Sequence, residues 1–193
     1  MSRAFLSTVL EGATGRNRPP SAGQDHVVLL HGLGRTRASM RLLEWALTQA
    51  GYHVVNQGYP SRRFRVEELA AQTLPRALHA CRDGAKVHFV THSMGAVLLR
   101  QWASENNIPN AGRAVLLGPP GAGSEIVDRF GDWRLFGLLN GPAGTHLGTG
   151  PDHLPAKLPP EVPLEVGVIA GSRSLNPLMS ALIEGPNDGK VSV

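Results

Sequence analysis

The sequence predicts a single α/β domain built on a doubly wound, mostly parallel sheet with helices on both faces. Three observations lead there. Short apolar runs alternate along the chain with stretches of helical periodicity, the pattern of crossover units. The 23 glycines and 15 prolines among 193 residues break the chain into many short elements. A composition 41% apolar and 18% charged suits one soluble core and excludes a disordered or fibrous chain.

Taken in order, a polar lead-in (Gly12 to Gln24) precedes His26-Val27-Val28-Leu29-Leu30-His31, an apolar run closed by Gly32-Leu33-Gly34. It reads as a buried strand entering a tight loop. From Thr36 to Ala50 the apolar Met40, Leu43, Ala46 and Leu47 recur at helical spacing, and Gly51 follows at the C-cap. Tyr52 to Asn56 is a second strand, and Gly58-Tyr59-Pro60-Ser61 a turn. Val66 to Cys81 is a helix, with Leu69, Thr73, Ala77 and Ala80 on one side and a kink expected at Pro75. Lys86 to Thr91 is the third strand, and Met94 to Glu105 the next helix, facing the core with Val97, Leu98 and Trp102. Arg113 to Leu117 is the fourth strand. Residues 121–160 then loosen into a Gly- and Pro-rich excursion, with an amphipathic stretch at Ser124 to Leu139, expected to act as a lid or to line a pocket. Leu164 to Gly171 returns as a strand, followed by an apolar stretch from Leu178 to Ile183.

Several classes drop out on composition. The one cysteine, Cys81, has no partner for an internal disulfide, and no Cys/His spacing fits a zinc site, so no metal and no other cofactor is expected. No apolar run reaches the length of a membrane span, and no secretion signal is visible, so the expectation is a cytoplasmic protein without stable membrane insertion. The net charge of +4 comes from 16 Arg and 3 Lys against 15 acids. It is uneven: residues 1–82 carry 11 Arg and 5 acids, whereas 83–193 carry 8 basic and 10 acidic residues. With no nucleic-acid motif among them, the arginines read as a solvated basic face, and no nucleic-acid partner is expected.

Chemistry concentrates where the third strand turns directly into a helix, at Thr91-His92-Ser93-Met94-Gly95. A serine on such a turn has its hydroxyl raised above the sheet edge with the following amide aimed at the same spot, and Gly95 removes a side chain that would collide there. The usual first residue of this pattern is glycine; here it is Thr91. The plainer reading of Ser93 is a helix N-cap, a position serine favours anyway. Some sixty residues upstream, His31-Gly32-Leu33-Gly34 ends a central strand, and its amide would complete an oxyanion hole with that of Met94. A dinucleotide loop lacks its third glycine, since position 37 is Arg, and lacks an acid where Asn56 stands; a phosphate loop lacks its Gly-Lys-Ser/Thr.

Together with Leu117-Gly118-Pro119-Pro120, Gly123-Ser124 and Asn187-Asp188-Gly189, these motifs resemble those of the α/β-hydrolase superfamily, in particular small bacterial lipase-like and esterase-like serine hydrolases, over roughly residues 26–193. The resemblance implies Ser93 as nucleophile, the Leu33 and Met94 amides as oxyanion donors and Asp188 as triad acid, acting on a small-molecule ester or lipid. Asp188 also sits in an Asn-Asp-Gly turn signal; the rival acid, Asp152, precedes the strand at 164–171 instead of following it.

The same resemblance calls for a histidine after the acid, and none follows His153. His26, His53, His79 and His88 fall in strands or helices away from the expected site, and His31 and His92 belong to the motifs themselves. His146 and His153, on the excursion, are the remaining candidates for a base. Two expectations result: an esterase whose histidine comes from the excursion, or a C-terminally truncated or non-catalytic module lacking the family's last strand and helix. The second would leave a sheet edge open to homo-oligomer formation.

Overall fold

The computed structural model describes residues 24–120, 142, 158 and 164–170. Strand β1 (His26–Leu30) leads through a short 3-10 turn (Arg37–Met40) into helix α1 (Arg41–Gln49) and strand β2 (His53–Gln57). Helix α2 (Val66–His79), strand β3 (Val87–His92), helix α3 (Met94–Glu105), strand β4 (Ala111–Leu117) and strand β5 (Glu165–Ile169) follow. The five strands among the described residues are all parallel, in the order β2-β1-β3-β4-β5. The alternation of strands and helices and the parallel sheet are those the sequence predicts.

Strand β1 lies inside the sheet, and all five of its residues are buried. Its two faces feed two cores, as the period of two requires. Val28 and Leu30 pack with Phe89 against Val66, Leu69 and Leu74 of α2 and Val97 and Leu98 of α3. Val27 and Leu29 pack with Met40, and Leu43, Leu47 and Val54 close over that side. Thus α1 covers one face and α2 and α3 the other. The chain leaves β1 toward β2, then crosses back to β3 and continues outward. The reversal falls between β1 and β3, whose carboxyl ends open the crevice where ligands bind in sheets of this kind.

Local chemistry accounts for the helix ends. Glu67 and Glu68 lie in the first turn of α2, where the helix dipole favours acids, and the Arg65 amide donates to Glu68 Oε2 at 3.2 Å. The helix runs on through Pro75 to His79. Strand β4 starts at Ala111, two residues before the predicted boundary, because the pairing with β3 shifts register between Val87 and Phe89. There the His88 ring fills the space above Gly112, where an added Cβ would come within 2.6 Å of Nδ1. The Arg113 amide donates to His88 Nδ1 at 3.0 Å, leaving Nε2 to face Asp25 at 3.3 Å. Among the described residues no helix is long and apolar enough to cross a membrane.

Candidate active site

Ser93 stands between the last residue of β3 and the first of α3, in a backbone conformation (φ 51°, ψ −120°) that residues with a side chain rarely adopt. Its hydroxyl makes no capping hydrogen bond to the helix. A serine selected as an N-cap has extended backbone and bonds the second or third amide of the helix; Ser93 does neither. Strain of this kind costs ~1–3 kcal/mol and persists only where surrounding structure enforces it. The enforcement is visible here: the Ser93 amide donates to the Leu117 carbonyl of β4 at 2.9 Å, and the Ser93 carbonyl accepts from Ala96 at 2.9 Å.

Two glycines permit the turn to sit where it does. A Cβ on Gly95 would come within 2.7 Å of the Leu30 carbonyl oxygen and 2.9 Å of Leu30 Cβ, so the first turn of α3 passes directly over the end of β1. A Cβ on Gly32 would lie 2.7 Å from His92 Nδ1 and 3.3 Å from Ser93 Cβ. The loop after β1 therefore runs against the serine. Leu33 follows in that loop, half-buried, and Met94 is fully buried as the first residue of α3. The first amides of a helix have no intrahelical acceptor, so α3 itself does not use the Met94 N–H.

His31 anchors this loop instead of serving as a base. It is buried, with its ring stacked on Tyr59 at 4.1 Å and 6°. The Tyr59 amide donates to His31 Nε2 at 3.3 Å, so the proton resides on Nδ1, which donates to the Gly32 carbonyl at 2.9 Å. The Tyr59 phenol donates to the His31 carbonyl. Burial holds the imidazole below its ordinary value, and the hydrogen bond to Gly32 only partly offsets it. Further along, the Gly34 amide, at φ +65°, donates to Ser61 Oγ at 3.0 Å, and the Arg35 amide donates to the Gly32 carbonyl at 3.2 Å. Two turns, one after β1 and one after β2, are thereby clamped together beside Ser93. Tyr59 and Ser61, read in the sequence as turn residues, are members of the site's framework. The signal was their place after β2, whose neighbour in the sheet is β1.

The other predicted members divide simply. His26, His53 and His88 lie at the amino ends of β1, β2 and β3, away from the serine, and His79 closes α2. His92, half-buried, packs its ring against Gly32. Asp188, Asp152, His146 and His153 lie outside the described residues, as does nearly all of the excursion from 121 to 160.

A model of the alpha/beta hydrolase family matches residues 27–185. Among solved structures, the chain resembles the mature form of a Bacillus licheniformis lipase, BlEst2, with a TM-score of 0.69 and 21% identity over 92% of this chain and 81% of that one. It also resembles the metagenomic carboxyl esterase MGS0156 (TM-score 0.60, 19% identity, 93% and 62% covered). A third likeness is to the phospholipase PlaB of Legionella pneumophila (TM-score 0.60, 16% identity, 88% and 44% covered). This chain thus spans under two thirds of the length of the latter two. At these identities the likeness is one of fold. No curated protein sequence matches the chain significantly.

Proposed function

Because the chain belongs to the alpha/beta hydrolase family, we propose that it cleaves carboxylic esters through an acyl-enzyme on Ser93. The observation that carries the reading is the strained, uncapped backbone of Ser93 at the β3–α3 turn. In the proposed reaction Ser93 Oγ attacks the ester carbonyl as a histidine accepts its proton. The Leu33 and Met94 amides stabilise the oxyanion. Collapse expels the alcohol, which takes the proton back, and water then releases the acid by the same route. Asp188 is the proposed orienting acid, and His153 or His146 the base. No cofactor enters this chemistry.

A second reading is favoured by one observation: His31, beside the site, has both ring nitrogens committed and is unavailable as a base. On that reading the chain keeps the oxyanion loop and the serine but lacks turnover. Loss of the histidine from a serine triad costs about 10⁶ in turnover, ~8 kcal/mol of barrier. Hydrolysis of a short p-nitrophenyl ester and labelling by a fluorophosphonate, on the chain and on its Ser93→Ala and His153→Ala variants, separate the two. Activity lost in both variants supports the esterase with His153 as its base, and activity lost only in Ser93→Ala supports the esterase with His146. Background turnover with slow, Ser93-dependent labelling supports the module. Activity that survives Ser93→Ala overturns both.

A further inference from the structure

The arginines that look scattered in the sequence are gathered by the fold. The segment from the end of β1 to the first residue of α1, residues 31–41, and the loop after β2, residues 58–65, hold six arginines and no acidic residue. Both leave the carboxyl ends of neighbouring strands, the edge that carries Ser93. They are tied to each other as well: Ser61 Oγ accepts from the Gly34 amide, and Asn56 Nδ2 donates to the Arg37 carbonyl at 3.0 Å. Arg35, Arg37, Arg41 and Arg63 are all exposed. A cavity of about 560 Å³ opens between Arg37, Ala38, Arg41, Glu44 and Asn56. Among the described lining residues its one carboxylate, Glu44, accepts from Asn56 Nδ2 at 2.7 Å. Glu67 and Glu68, the next acids along the chain, belong to the first turn of α2.

Large apolar side chains stand out of the same surface. Leu42 is 76% exposed and Trp45 44%, on the solvent side of α1 in the turn that starts at Arg41. Phe64, 38% exposed, lies between Arg63 and Arg65. Arginines interspersed with an exposed Trp, Leu and Phe are the composition of a face that lies on a lipid–water interface: the guanidinium groups meet phosphates and the apolar tips enter the acyl boundary. A nucleic acid would use the charge but give Leu42 nothing to bury against, and an acidic protein partner would not account for a concave headgroup-sized cavity ringed by Arg37 and Arg41.

We propose that this face docks the protein peripherally on membranes rich in anionic phospholipid, holding the Ser93 edge toward the lipid surface. The docking stands on charge and exposure alone; that it delivers a membrane-borne ester to Ser93 rests on the esterase reading above. Docking is therefore tested on the Ser93→Ala chain, whose binding is independent of turnover, by sedimentation with vesicles of phosphatidylcholine alone or mixed with phosphatidylglycerol. Binding is expected only to the mixed vesicles and is expected to weaken as salt rises. Since each basic residue near an anionic surface contributes about fivefold in affinity, the combined Arg35→Gln, Arg37→Gln, Arg41→Gln variant should bind roughly a hundredfold more weakly. The combined Leu42→Ser, Trp45→Ser variant should lose roughly tenfold at unchanged salt dependence. All five positions are exposed, so circular dichroism should register no change in fold. Equal binding to both vesicle types, unchanged binding by either variant, or binding to a duplex oligonucleotide without binding to vesicles would overturn the proposal.

Discussion

Replacing Gly95 with alanine puts the central packing relation of the site to a quantitative test. In an ordinary helix interior the change stabilises by ~1 kcal/mol, because alanine restricts the unfolded chain and glycine does not. Here the new Cβ would stand 2.7 Å from the Leu30 carbonyl oxygen and 2.9 Å from Leu30 Cβ, where ordinary contact begins at 3.4 Å. Both atoms belong to the inner strand β1, buried throughout, so relief must come from α3 lifting off the sheet by several tenths of an ångström. A gap of that size forfeits about a quarter or more of the dispersion energy of the side chains that line it. Met94, Val97 and Leu98 are all fully buried there, and at ~2 kcal/mol apiece for burial the loss is ~1.5–3 kcal/mol. Net of the helix gain, Gly95→Ala should destabilise by ~0.5–2 kcal/mol, which at ~2–4 °C per kcal/mol for a chain this long lowers Tm by roughly 1–8 °C. Gly167→Ala in β5 is the control, since an added Cβ there meets none of the described residues within 4 Å; it should leave Tm unchanged or slightly raised. A Gly95→Ala protein as stable as the parent would show that α3 does not press on β1 as described, and with it the account of how Ser93 is held would fail.

Other outcomes follow from particular side chains. Thr91 is buried in β3 between Leu30 and Leu116, and its hydroxyl has no hydrogen-bond partner among the described residues, so Thr91→Val should stabilise by ~1–2 kcal/mol; a loss of stability on urea titration would contradict this. His26 and His31 are both held below the ordinary imidazole value of 6.5, chiefly by burial and, for His26, also by the nearby His53 and Arg82 charges. The folded state thus binds fewer protons than the unfolded one. Stability is complete above pH 6.5 and should fall as pH drops below it, by up to ~1.4 kcal/mol per pH unit for each histidine, and a flat profile in that window would be inconsistent with buried neutral rings. Burial pushes the Cys81 thiol up to about 11. Only about a thousandth is thiolate at pH 8, so alkylation by iodoacetamide should run far slower than for a free thiol near 8.5, and a rate equal to that of glutathione would disprove it.

Strands and helices were legible in the sequence because each carries its own period. The run at 26–30 is apolar on both faces, as a strand covered on two sides must be, the strands read at 52–56 and 86–91 fall within one residue of β2 and β3, and the helices α1, α2 and α3 show one apolar stripe each. The turn at Ser93 was legible too, because Gly95 and the direct strand-to-helix step are local features. The start of β4 was missed because Ala111-Gly112 is a poor strand former alone, and only the His88 ring over Gly112 makes it useful there. Nor did the residues announce that His31 and Tyr59 form one unit. That link runs between neighbouring strands nearly thirty residues apart and involves a backbone amide and a carbonyl, which leave no mark on residue type. For the same reason six arginines on two separate loops looked dispersed until the β1–β2 pairing set the loops side by side.

The strand order also dictates a sequence of events when the chain first folds. β1 pairs β2 after one short crossover, but its other edge pairs β3 some sixty residues downstream. Bringing distant segments together exacts loop-closure entropy before any contact repays it, and parallel pairings at this separation are slow for that reason. On an elongating polypeptide β1, α1 and β2 emerge before the other described elements, with Val28 and Leu30 bare on one face until α2 and β3 arrive to cover them. In that interval the unpaired edge of β1 is open to pairing with other chains. Synthesis that stalled between residues 60 and 90 would expose it longest, making the stretch through α2 the window in which a nascent chain depends most on protection from its neighbours.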